Sequence, residues 1–68
     1  MPYIQISLAE GRTEKQIRDL IHGVTELAVS VAGAPREAVS VIVTEVPTTR
    51  WSTGDVTVAE KRSTQEKS

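Results

Sequence analysis

The chain has 68 residues, 38% of them apolar and 25% charged, and its eight basic and nine acidic side chains give a formal net charge of -1. There is no cysteine and only one histidine, His22, which excludes disulfide staples and Cys/His zinc sites; the interspersed charges leave no basic face for nucleic acid or an anionic membrane surface. A chain this short builds a marginal core on its own, so association with other chains is the expected source of stability.

No apolar run approaches the ~20 residues that span a bilayer, and the start of the chain lacks a basic stretch followed by an apolar one, as a secretory signal would have. The expectation is a cytoplasmic oligomer with neither membrane nor nucleic-acid partners.

From Tyr3 to Leu8 the residues alternate, with Ile4, Ile6 and Leu8 on one side and Tyr3, Gln5 and Ser7 on the other, the pattern of a strand with one apolar face. Glu10-Gly11-Arg12 reads as a turn. Thr13-Glu14-Lys15-Gln16 has the spacing of a capping box. Behind it Ile17, Leu20, Ile21, Val24, Leu27, Ala28 and Val31 recur every three or four residues, predicting one amphipathic helix over 13–32. Gly33 is its left-handed stop, and Pro35 prevents resumption. His22 falls on the polar side, where a solvated histidine is expected.

Val39 to Val46 is the second predicted strand, and both of its faces are apolar enough to expect cover on each. Strand, helix and strand make a parallel β-α-β unit. Two strands under one helix leave a sheet face and both edges open, which again predicts packing against other chains. Beyond Pro47, Thr53-Gly54-Asp55 looks like a tight turn before Val56-Thr57-Val58, forming a short hairpin. From Glu60 to Ser68 the polar composition predicts a flexible, frayed tail, so that a single α+β domain spans 1–59 and a tail spans 60–68.

Chemistry concentrates at the start of the chain. Pro2 is small enough to permit removal of Met1, which would leave a free secondary amine at the head of a strand. Ordinary α-amino groups titrate near ~7.7–8.0, and desolvation or nearby cations such as Arg12 lower that value. A neutral amine of this kind is a general base near pH 7. On composition alone, Pro2 reads first as merely a common second residue.

The run Pro2-Tyr3-Ile4-Gln5-Ile6-Ser7-Leu8, the turn Glu10-Gly11-Arg12-Thr13-Glu14-Lys15-Gln16, the helix, Val41-Ile42-Val43-Thr44-Glu45-Val46 and Trp51 together resemble the 4-oxalocrotonate tautomerase family over residues 2–51. The resemblance implies a β-α-β protomer that pairs into a four-stranded sheet, with three such dimers forming a hexamer. It implies a cofactor-free isomerase in which the amino-terminal proline, matched by Pro2, moves a proton between the enol oxygen and a carbon of an unsaturated 2-oxo acid. Arg12 matches the arginine that holds a substrate carboxylate, and Trp51 stands where the family has a pocket aromatic that excludes water.

One position departs from the pattern. The family's second arginine, on the second strand of a neighbouring subunit, is matched here by Ser40, which offers one neutral hydrogen bond in place of a charged fork. Arg50, beside Trp51, and Arg36 are the cations weighed as substitutes. The substitution at Ser40 leaves open a partner-dependent or non-catalytic subunit of a hetero-oligomeric enzyme. A hydratase or dehalogenase of the same superfamily is a further alternative; such relatives carry an extra carboxylate, and near the equivalent position this chain has Thr53, with Asp55 two residues on.

Overall fold

Strand β1 (Tyr3–Ala9), helix α1 (Glu14–Ala32) and strand β2 (Ser40–Val46) form the body of the molecule, in a computed structural model that describes residues 2–67. The expected removal of Met1 and the last residue of the expected tail, Ser68, lie outside the described residues. β1 and β2 pair in parallel with Tyr3 opposite Ser40 and Ala9 opposite Val46, so the crossover is the predicted β-α-β unit.

The local reasons are visible in the caps. Thr13 Oγ1 accepts from the Gln16 amide at 3.1 Å while the Gln16 side chain accepts from the Thr13 amide at 2.9 Å, completing the capping box at the helix start. Gly33 ends the helix with φ 69°, a conformation that costs glycine nothing. The chain then makes a 3-10 turn at Arg36–Ala38, and the Val39 amide donates back to the Arg36 carbonyl at 3.2 Å. Val39 is thereby taken out of the second strand, which begins one residue later than its apolar run predicts.

Alternation sorts the sheet residues as expected. Ile4, Ile6, Leu8, Val41 and Val43 are half-buried beneath α1, whereas Tyr3 is 59% and Ile42 49% exposed on the opposite face. The cover expected on both faces of β2 is therefore supplied on one side only within a single protomer. The α1 stripe is likewise half used: Ile17, Leu20, Ile21, Val24 and Ala28 are half-buried, but Leu27 and Val31 are 61% and 77% exposed. Two strands ~4.8 Å apart make a platform narrower than the apolar stripe of a long helix. No described residue is fully buried.

After Pro47 a 3-10 turn (Thr48–Arg50) leads into a two-stranded antiparallel hairpin, β3 (Ser52–Thr53) and β4 (Val56–Thr57). Its turn residues Gly54 and Asp55 both have positive φ, 59° and 66°, as a two-residue turn matched to the right-handed strand twist requires. The hairpin is thus shorter than predicted, because Val58 opens a helix.

That helix, α2 (Val58–Lys67), replaces the frayed segment that the polar composition predicts from Glu60. A second capping box explains it: Thr57 Oγ1 accepts from the Glu60 amide at 3.1 Å and the Glu60 carboxylate accepts from the Thr57 amide at 2.8 Å. α2 packs on β4 and the Thr48–Arg50 turn, so hairpin and helix form an arm beside the β-α-β body. The radius of gyration, 15.5 Å, exceeds the ~11 Å of a compact chain of this length.

The amide hydrogen bond from Thr57 holds the Glu60 carboxyl below its ordinary range. A carboxylate with a lowered folded-state pKa stabilises α2 fully above the unfolded value of ~4.3, and that contribution fades as pH falls through the lower folded value. In an NMR titration the Thr57 amide resonance should therefore stay constant from neutral pH down to about 5 and move only below ~4.3; in Glu60→Gln it should not titrate.

Candidate active site

Pro2 precedes β1 and is half-buried; its carbonyl accepts the Ser40 amide at 3.0 Å, extending the parallel ladder by one rung. This bond fixes the head of β1 to the head of β2. Ser40 itself is exposed, and its register with Tyr3 puts its side chain on the open sheet face.

Arg12 sits at the other end. The chain leaves β1 through Gly11, whose φ of 133° belongs to backbone space that side-chain-bearing residues rarely enter. The Arg12 guanidinium folds back so that Nη1 donates to the Ala9 carbonyl at 3.0 Å. From Pro2 to Ala9 the strand rises ~3.3 Å per residue, about 23 Å in all. Arg12 is therefore not beside the Pro2 of its own chain, so the cation expected to lower the Pro2 amine is not supplied by it within one protomer.

Because β1 and β2 run in parallel, everything that follows β2 also gathers at the Arg12 end. Arg50 is exposed in the Thr48–Arg50 turn, and its amide donates to the Pro47 carbonyl at 2.8 Å. Trp51 is half-buried and its carbonyl accepts the Val58 amide at 2.8 Å, tying it to the first residue of α2. Arg36, the other cation weighed as a replacement for the charge absent at Ser40, is instead paired with Glu26. That bond pulls the Glu26 carboxyl below its usual range and raises the guanidinium. Asp55 lies in the hairpin turn.

The candidate residues thus fall into two half-sites, with Pro2 and Ser40 at one end of the sheet and Arg12, Arg50 and Trp51 at the other. Among the described residues no cavity forms within one protomer, and no three His, Cys, Asp or Glu side chains gather as a metal-ligand set.

A residue that sequence reasoning did not single out joins the second half-site. Arg62, on α2, donates from Nη1 to the Glu10 carbonyl at 3.3 Å. The signal that could have found it is Thr57-Val58-Ala59-Glu60, a Thr-x-x-Glu capping box that predicts a helix start and hence the direction in which Arg62 is carried.

The chain matches the tautomerase enzyme family model over residues 2–66. It belongs to the 4-oxalocrotonate tautomerase family. A "probable tautomerase" of Ralstonia nicotianae is 48% identical to it over 56 residues, covering 82% of this chain and 80% of that one. The 2-hydroxymuconate tautomerase of Pseudomonas putida is 40% identical over 60 residues, covering 88% and 95%. Among solved structures, a heterohexameric 4-oxalocrotonate tautomerase from Chloroflexus aurantiacus superposes with a TM-score of 0.84 at 32% identity, covering 88% of this chain and 97% of that one. The arm is therefore part of the family fold: the matched region runs through the hairpin and most of α2. At the level of the family this is an isomerase, and the Chloroflexus aurantiacus relative is a heterohexamer.

Proposed function

We propose that this tautomerase-family chain converts the enol of an unsaturated 2-oxo acid to its keto form without a cofactor, using Pro2 as the general acid/base. With Met1 removed, the secondary amine takes the enol O–H proton, and the resulting ammonium returns a proton to carbon. The observation that carries the reading is a proline at position 2 leading straight into β1 in a chain of this family.

The separation of the half-sites gives the proposal its geometry. Arg12 is too far from Pro2 within one chain, so the carboxylate-binding arginine comes from a second copy. Antiparallel association of two sheets brings the head of one β1 towards the Arg12 end of the other. The guanidinium fork then grips a carboxylate through two parallel hydrogen bonds, while Trp51 excludes water, which favours the neutral amine. Ser40 contributes a single neutral hydrogen bond, and Arg50 supplies positive charge at the mouth.

The test follows ketonisation of 2-hydroxymuconate and phenylenolpyruvate by ultraviolet absorbance, alongside the intact mass of the protein. Loss of Met1 in the mass and turnover of either enol support the reading. An inert protein of the correct mass and assembly overturns it. Ser40→Arg should raise kcat/KM for the dicarboxylate about tenfold relative to the monocarboxylate, since a hydrogen bond to a charged group contributes roughly 1.5–3 kcal/mol.

A second reading has its own support. Ser40 removes a charge that another chain could deliver, and the Chloroflexus aurantiacus relative is a heterohexamer. If this chain is a partner-dependent subunit, it is inactive alone and gains turnover only when mixed with the product of a neighbouring gene. A competent homo-oligomer removes that reading.

A further inference from the structure

Two guanidinium groups hold the same turn. Arg12 Nη1 donates to the Ala9 carbonyl at 3.0 Å, and Arg62 Nη1, arriving from α2 fifty residues later in the chain, donates to the next carbonyl, that of Glu10, at 3.3 Å. The turn between them is Gly11, and a Cβ built there would meet Arg62 Nη1 at 3.6 Å, so the guanidinium lies directly over the glycine. Among the side chains of residues 2–64 the ion pairs are Lys15–Asp19 and Arg36–Glu26. Arg62 thus holds a backbone carbonyl at the end of β1.

We infer that Arg62 is a positioning residue for Arg12: through the Glu10 carbonyl, α2 holds the Gly11 turn so that the Arg12 guanidinium is set for a substrate carboxylate. The inference rests on the proposed role of Arg12 and adds a residue to it. Gly11 makes the turn pliable, because glycine has more backbone states to lose than any other residue. A turn that wandered would spread the Arg12 fork over many orientations, and a bidentate grip depends on one. Arg62 is also the point at which the arm touches the end of β1, so the placement of α2 and the grip of Arg12 are linked. Its influence should fall on carboxylate affinity and leave proton transfer at Pro2 untouched.

The experiment is a mutant cycle. Arg62→Ala should raise KM for 2-hydroxymuconate about threefold to tenfold, the range expected for one hydrogen bond, with kcat changed by less than about twofold. In an Arg12→Ala background the same substitution should have no further effect on KM, because the group it positions is gone. Arg62→Gln, which keeps a neutral donor for the Glu10 carbonyl, should recover part of the loss. An undiminished effect of Arg62→Ala without Arg12 would show direct binding and overturn the inference, as would an unchanged KM or a fall in kcat alone. A parallel titration with cis,cis-muconate, read by the fluorescence of Trp51, measures carboxylate affinity without turnover. If the wild type proves inert, that failure belongs to the tautomerase reading, and the fluorescence cycle still decides Arg62. Should Arg62→Ala fail to assemble, Arg62→Gln carries the comparison.

Discussion

Replacing Pro2 with Ala lowers kcat/KM for enol ketonisation by about 10²-fold or more, the contribution usual for a positioned general acid/base. Alanine still supplies an α-amine after Met1 is removed, but a primary one with ordinary basicity near ~7.7–8.0 and without the pyrrolidine ring that fixes φ at the head of β1. The more telling readout is the pH profile. A general base works when deprotonated, so kcat/KM rises with pH through the amine pKa of the free enzyme. Desolvation in the completed site disfavours the ammonium and moves that limb downwards. The wild-type limb is therefore expected near or below neutrality. A wild-type limb well above neutrality, or a Pro2→Ala enzyme of undiminished activity, is incompatible with the proline as base. Retention of Met1, visible as added mass, converts the amine to an amide and should abolish turnover altogether.

How much of this was legible in the chain depends on how local each signal is. The strands, the helix and its caps follow from periodicity and from residues three or four positions apart, and β1, α1 and β2 fall where alternation and the Thr13–Gln16 box place them. The later start of β2 escaped because the Val39 amide turns back to Arg36, a choice that an apolar run does not encode. α2 is masked by its composition: its polar residues resemble a frayed tail, while Thr57 and Glu60 specify a helix start. The candidate residues stand out one by one through the family pattern, and the strand predicted between Pro2 and Arg12 already sets those two apart. A sequence motif says which side chains are present; the parallel pairing of β1 with β2 adds that Ser40 stands at the Pro2 end of the sheet.

Under the proposed function that separation makes assembly a condition of both stability and activity, and Ile42 tests it. The protomer exposes 5129 Å² where a compact monomer of its mass would expose ~4,200 Å², and none of its described side chains is fully buried. The uncovered face is continuous: Tyr3, Gln5 and Ser7 of β1 lie opposite Ser40, Ile42 and Thr44 of β2, with Ile42 near its centre at 49% exposure. Ile42→Asp places a charge where a neighbouring copy should cover the face, and an unpaired buried charge costs several kcal/mol per copy. Where folding is coupled to association, as the proposed assembly requires, the loss is multiplied through the assembly and shows itself as concentration-dependent unfolding. The expected result is a chain that sediments as a monomer, has lost most of its helical circular dichroism and turns over neither enol. Lys15→Ala, which removes only the exposed pair with Asp19, should assemble as the wild type does, because surface ion pairs contribute little. A wild type that stays folded and active as a lone protomer at high dilution would mean that Pro2 and Arg12 do not act together between copies, and would overturn the proposed site.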